Sequence, residues 1–77
     1  MDALALLVYR HCLDKLHIDE TQLTEEMFEK YRACCNIIVR VNRQSSFDQM
    51  CDQCTKAMQW LAENPTLNLP AAAFTID

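Results

Sequence analysis

The cysteines are the most reactive side chains of this sequence, and Cys51 and Cys54 form a Cys-x-x-Cys pair. Such a pair can supply half of a zinc site or act as a redox dithiol. Both cysteines fall on the apolar face of a predicted helix, and no second Cys-x-x-Cys or paired histidines at a zinc-finger spacing complete a ligand set. Free cysteine packs well as a small hydrophobic residue. We therefore expect core packing at this pair, with no bound metal or cofactor.

The other reactive residue types do not form a catalytic pattern either. Cys34 and Cys35 are adjacent, so their side chains point about 100° apart on a helix. We expect Cys34 in the core and Cys35 on its flank, as the thiol best placed to meet a partner. His11 and His17 are too far apart to form an i, i+4 metal pair. No spacing favours a cysteine–histidine catalytic pair, and we expect no enzymatic activity.

The composition indicates one small helical domain. The chain has 77 residues, of which 51% are hydrophobic, and this is ample for a core. It contains no glycine, which disfavours phosphate-binding loops, dinucleotide-binding turns and tight hairpins. The net charge of −4 makes nucleic acid an unlikely partner, because the phosphate backbone is itself negative.

The sequence also predicts the kind of compartment. No apolar run approaches the roughly 20 residues that span a bilayer, so no membrane association is expected. The apolar stretch 3–9 follows an acidic residue and lacks a cleavage signal, which argues against a signal peptide. Five cysteines, an odd number, then favour free thiols in a reducing compartment. We expect the cytoplasm, with the nucleus as the alternative.

Three amphipathic helices are predicted from the spacing of the apolar residues. They are expected to span residues 2–17, 24–43 and 46–63. Each begins with a short polar residue that can cap it, namely Asp2, Thr24 and Ser46. Asn64-Pro65 ends the third helix, because the residue before a proline is disfavoured in the α region.

These elements predict an all-α fold. We expect a three-helix, up-down-up bundle over residues 1–64. A non-helical C-terminal tail is expected over residues 65–77, in which residues 71–73 are compatible with one further turn.

The second predicted helix carries the clearest apolar seam. Its members alternate in spacing between four and three: Met27, Tyr31, Cys34, Ile38 and Val41. Apolar residues on the first two helices cover an arc of about 200°, whereas packing against one side of a bundle needs little more than about 100°. Contacts with two neighbouring helices explain part of this excess. The remainder predicts a second buried surface, formed by Leu7, Phe28, Cys35, Ile37 and Val39.

The surplus apolar residues predict a contact with another protein. The residues expected there are Leu7, Phe28, Cys35, Val39 and Trp60. Trp60 lies roughly 120° from the centre of its helix's apolar face, and tryptophan is common at binding hot spots. The alternative is that the tail, residues 65–77, folds back over Trp60 within one chain.

These patterns predict a non-enzymatic helical protein-interaction module of the adaptor, inhibitor or scaffold type. We expect a homodimer, since an identical copy could bury the surplus surface across a two-fold axis. A helix or extended segment of a different protein is the alternative partner. The alternative function is a cysteine-based metal-binding or redox-sensing regulator.

Overall fold

Three helices form the protein. A computed structural model describes residues 1–76, and Asp77, the last residue of the predicted tail, lies outside the described residues. The helices are α1 (Ala3–Lys15), α2 (Glu25–Val41) and α3 (Phe47–Glu63). Single 3₁₀ turns occur at Glu20–Gln22 and Ala71–Phe74, and residues 1–76 contain no strand. The all-α prediction is therefore confirmed, with every helix end within two residues of its predicted place.

The three helices run up, down and up. Arg43, just beyond the end of α2, forms a salt bridge with Asp2 at the start of α1. Lys30, in the first half of α2, donates to the carbonyl of Pro65, just beyond α3. Both contacts require α2 to run antiparallel to its neighbours. Exposed polar contacts of this kind contribute little stability, so the core must hold the bundle together.

The core is one cluster at the centre of the bundle, and each helix packs against the other two. Sixteen hydrophobic side chains are buried there, including those of all five cysteines. The largest fully buried side chains include Tyr9 of α1, Ile38 of α2 and Met58 of α3. Each helix therefore contributes a large side chain to the same cluster.

The predicted N-caps form as expected. Asp2, Thr24 and Ser46 each accept a backbone N–H from the first turn of the helix that follows. Gln49 completes a capping box, because its side chain accepts the backbone N–H of Ser46 at 3.1 Å. These caps satisfy N–H groups that a helix leaves without partners at its first turn.

The end of α1 takes a left-handed turn without glycine. His17 has a φ of 55°, in a region that glycine normally occupies. Its N–H donates to the carbonyl of Asp14 at 3.2 Å, and the N–H of Ile18 donates to that of Leu13 at 2.9 Å. This is the Schellman pattern, which satisfies the last carbonyls of the helix.

Replacing His17 with glycine is expected to stabilise the protein by about 1 kcal/mol, because glycine adopts this backbone conformation without steric cost. Chemical denaturation would measure the gain. The matched control is Arg10→Gly in the exposed interior of α1, where glycine should cost about 1 kcal/mol. Destabilisation by both substitutions would contradict the role assigned to the left-handed turn.

The tail folds back onto the bundle. Its 3₁₀ turn packs against both α2 and α3, and Leu69, Phe74 and Ile76 are half-buried against the core cluster. The buried Asn42 side chain donates to the carbonyl of Phe74 at 2.7 Å and accepts the N–H of Ile76 at 3.0 Å. The short turn predicted at residues 71–73 is present, and the tail contributes to the packed structure of the chain.

Candidate interaction surface

Two of the five residues expected at a partner contact are in the core. Cys35 and Val39 are both 0% exposed, so the prediction that they face a partner is wrong. The physical reason is that α2 packs against both α1 and α3, and the Cys35 sulfur contacts Met58 of α3. Contacts with two neighbouring helices use the apolar arc on this side of α2.

The other three predicted residues lie on separate helices. Leu7 of α1 is the most exposed of them, at 59%. Phe28 of α2 and Trp60 of α3 are half-buried against the core cluster. The guanidinium of Arg32 lies 5.0 Å from the centre of the Phe28 ring, a cation–π geometry that covers part of the ring. The structure therefore does not combine the five predicted residues into one exposed surface.

At the end of α2, the buried residues differ from those of the apolar seam predicted from the sequence. Val41, expected inside, is 57% exposed, whereas Asn42 is 8% exposed. A straight helix drifts about 20° per heptad against a strict seven-residue repeat. After two heptads from Met27 this drift turns position 42 inward and position 41 outward. A prediction made with the true helical period of about 3.6 residues would have placed Asn42 inside and Val41 outside.

An exposed apolar ridge results on the outer side of α2. Ile37 is 42% exposed and lies one turn before Val41. Ala33, a further turn back, is also exposed and is small. We call Ala33, Ile37, Arg40 and Val41 the α2 ridge.

A groove runs beside this ridge, between α2, α3 and the tail. Its volume is about 180 Å³. Its apolar lining comes from all three elements: Ala33, Cys34, Ile37, Leu61, Leu67, Leu69 and Phe74. Leu67 is 52% exposed. Because Ala33 and Ile37 belong to both the groove and the ridge, the two make one continuous surface.

Charges along the exposed face of α2 change sign from start to end. Glu25, Glu26 and Glu29 are exposed in its first half. Arg40 and Arg43 are exposed at and beyond its end. Arg43 is already paired with the start of α1, but within residues 1–76 neither Glu29 nor Arg40 forms a salt bridge. The face therefore presents an unpaired carboxylate and an unpaired guanidinium on either side of Ala33 and Ile37.

The cysteines form the sulfur-rich part of the core. Cys12 accepts a hydrogen bond from the hydroxyl of Thr55 and donates to the carbonyl of Cys51, each at 3.5 Å. The sulfur of Cys35 lies 3.7 Å from that of Met58. The prediction of core packing for the Cys-x-x-Cys pair agrees with the burial of both its thiols. The expectation that Cys35 is the most accessible thiol is wrong, since none of its surface is exposed.

The environment of these thiols does not favour redox chemistry. Burial raises the pKa of Cys51 to about 11. Hydrogen bonds from the Cys35 and Cys54 side chains lower the pKa of Cys12, and the contact with Cys12 raises the pKa of Cys54. Cys12 is nevertheless fully buried, whereas a redox sensor needs an accessible thiolate. Among residues 1–76, no three His, Cys, Asp or Glu side chains are placed to hold a metal ion together.

Thiol titration is expected to find five reactive groups in denaturant and none that reacts quickly in the folded protein, because all five are buried. An Ellman-type reagent followed over time would measure both numbers. The control variant Lys56→Cys adds a thiol at an exposed position of α3, which should react within the mixing time. A native cysteine that reacts as quickly as this one would contradict the burial.

No family model, curated protein or solved structure matches this chain. None of the helices in the described part of the chain has both the length and the apolar character needed to cross a bilayer.

Proposed function

We propose that this chain is a non-enzymatic helical module that binds another protein, of the adaptor, inhibitor or scaffold type. The observation that carries the proposal is the continuous surface formed by the α2 ridge and the groove. Single exposed apolar residues are ordinary on protein surfaces. Here, however, Ile37 and Leu67 line one groove and are 42% and 52% exposed. Val41, which is 57% exposed, continues this surface one turn beyond Ile37. Contiguous apolar surface of this kind marks interaction sites.

The placement of the nucleophiles supports a non-enzymatic role. The Cys12 thiol is buried, and the neighbouring His11 is exposed with its ring centre 5.7 Å from that of Phe47. These adjacent side chains point in different directions from α1, so they do not form a nucleophile and its base. The chemistry of this chain is that of a binding surface.

A protein is the partner class that the surface fits. Apolar side chains in a groove match the apolar face of a helix or an extended segment. Nucleic acid would instead require an excess of positive charge, and the net charge is −4. Five free cysteines fit a reducing compartment, and we propose the cytoplasm or the nucleus.

Site-specific photo-cross-linking tests this proposal in the cells that make the protein. A photoreactive residue in place of Ile37 should give a discrete protein adduct, and the same residue in place of Lys56, on the exposed part of α3, should not. The added substitution Val41→Asp should remove the adduct by placing a charge within the ridge. The absence of any adduct at Ile37, or equal adducts at both positions, would overturn the proposal.

A further inference from the structure

Resting on the proposed function, we infer that the α2 ridge binds a second copy of this chain, with the two α2 helices antiparallel across a two-fold axis. A two-fold interface uses the same patch on both copies, so each patch must carry features complementary to itself. The α2 ridge has two such features, one in side-chain size and one in charge.

The first feature is a small residue beside a large one. Ala33 and Ile37 are one helical turn apart on the exposed face of α2. If the two-fold axis passes between these positions, Ala33 of each copy faces Ile37 of the other. Ile37 of each copy then packs against Ala33 and the adjoining groove of the other copy. The two-fold axis makes this contact twice in the dimer. Helices approach closely where a small side chain faces a large one.

The second feature is the order of charges. Glu29 lies one turn before Ala33, and Arg40 lies three residues after Ile37. The axis that pairs Ala33 with Ile37 places Glu29 of each copy opposite Val41 and next to Arg40 of the other. Lys30 faces Arg40 in this register, but it is already bound to Glu26 and to the carbonyl of Pro65. Two carboxylate–guanidinium pairs form from groups that have no partner within residues 1–76.

Antiparallel packing is the arrangement that these charges select. Parallel packing would place Glu29 against Glu29 and Arg40 against Arg40, and like-charge contacts at an interface are costly. Antiparallel packing also sets the positive start of each helix dipole beside the negative end of the other.

The charge order favours a second copy over an unrelated partner. A patch that binds a basic or an acidic protein needs only one sign of charge. This patch carries both signs, on either side of its apolar centre, in the order that complements itself. The net charge of −4 per chain opposes association at long range, so the local pairs at Glu29 and Arg40 determine the geometry.

Charge exchange tests the arrangement by analytical ultracentrifugation of the full chain. Glu29→Arg alone and Arg40→Glu alone should each weaken self-association by about tenfold or more, since each replaces two attractive contacts with two repulsive ones. An equimolar mixture of the two variants should form a heterodimer about as stable as the parent dimer. The double variant should again form a homodimer. Ile37→Asp should also weaken association by about tenfold or more.

Two matched controls separate local contacts from net charge. Glu63→Arg and Lys56→Glu make the same charge changes at exposed positions of α3, and both should leave association within about twofold of the parent. Circular dichroism should show unchanged helical content in every variant.

The outcomes distinguish this inference from the proposed function. A parent that remains monomeric at millimolar concentration, or variants that fail to form the heterodimer, would overturn the two-fold arrangement. If Ile37 then cross-links to a different protein in cells, the interaction function stands with another occupant of the ridge. If Ile37 gives no adduct and the parent does not self-associate, both proposals fail.

Discussion

Ile38→Asp is expected to unfold the protein. Ile38 is 0% exposed and is among the largest side chains fully buried in the core. An unpaired carboxylate there costs several kcal/mol, against a total stability of about 5–15 kcal/mol for a typical domain. Circular dichroism at 25 °C should show most of the helical signal lost, and thermal melts should show no cooperative transition. Leu13→Asp, in the part of the core contributed by α1, should have the same effect.

The matched control is a substitution of Ile37, the residue next to Ile38. Ile37→Asp makes the same chemical change at a position that is 42% exposed. Below the concentration at which the parent dimerises, it should leave both the helical signal and the melting midpoint close to those of the parent. Val39→Glu should behave like Ile38→Asp, because Val39 is also fully buried. If Ile38→Asp and Leu13→Asp both melt like the parent, the core is wrongly assigned.

Asn42→Ala is expected to lower the free energy of unfolding by about 2–3 kcal/mol. The substitution removes three hydrogen bonds of the Asn42 side chain, and each contributes about 1 kcal/mol net. The side chain donates to the carbonyls of Ile38 and Phe74, each at 2.7 Å, and accepts the N–H of Ile76 at 3.0 Å. Removing it leaves polar groups of the tail without these partners. Urea denaturation should show the loss, and hydrogen exchange should show faster exchange at the N–H of Ile76.

The matched control is Asn36→Ala, one asparagine earlier on α2. Asn36 makes no side-chain hydrogen bond within residues 1–76, and alanine has the higher helix propensity. Its stability should equal or slightly exceed that of the parent, with no change in exchange at the tail. Equal stability of the Asn42 and Asn36 variants would show that the tail does not depend on the Asn42 side chain.

The helices of this protein could be predicted from the sequence because their signals are local. A cap such as Thr24 or Ser46 bonds to an N–H three residues away, and Asn64-Pro65 acts on its own backbone. The lack of glycine likewise disfavours whole classes of turn without reference to the fold, although His17 adopts one left-handed conformation without it. The number, order and ends of the helices therefore follow from residues that are close in sequence.

Which apolar residues face outward was decided by the tertiary structure. The wide apolar arc of α2 does not by itself show whether Cys35 and Val39 meet another protein or another part of the chain. The answer depends on helices elsewhere in the chain, because the Cys35 sulfur contacts that of Met58, 23 residues further along on α3. Burial is set by the positions of all neighbouring elements together, whereas periodicity reports only on one helix. For this reason the sequence alone did not distinguish Ile37, which stays exposed, from Cys35 and Val39, which are buried.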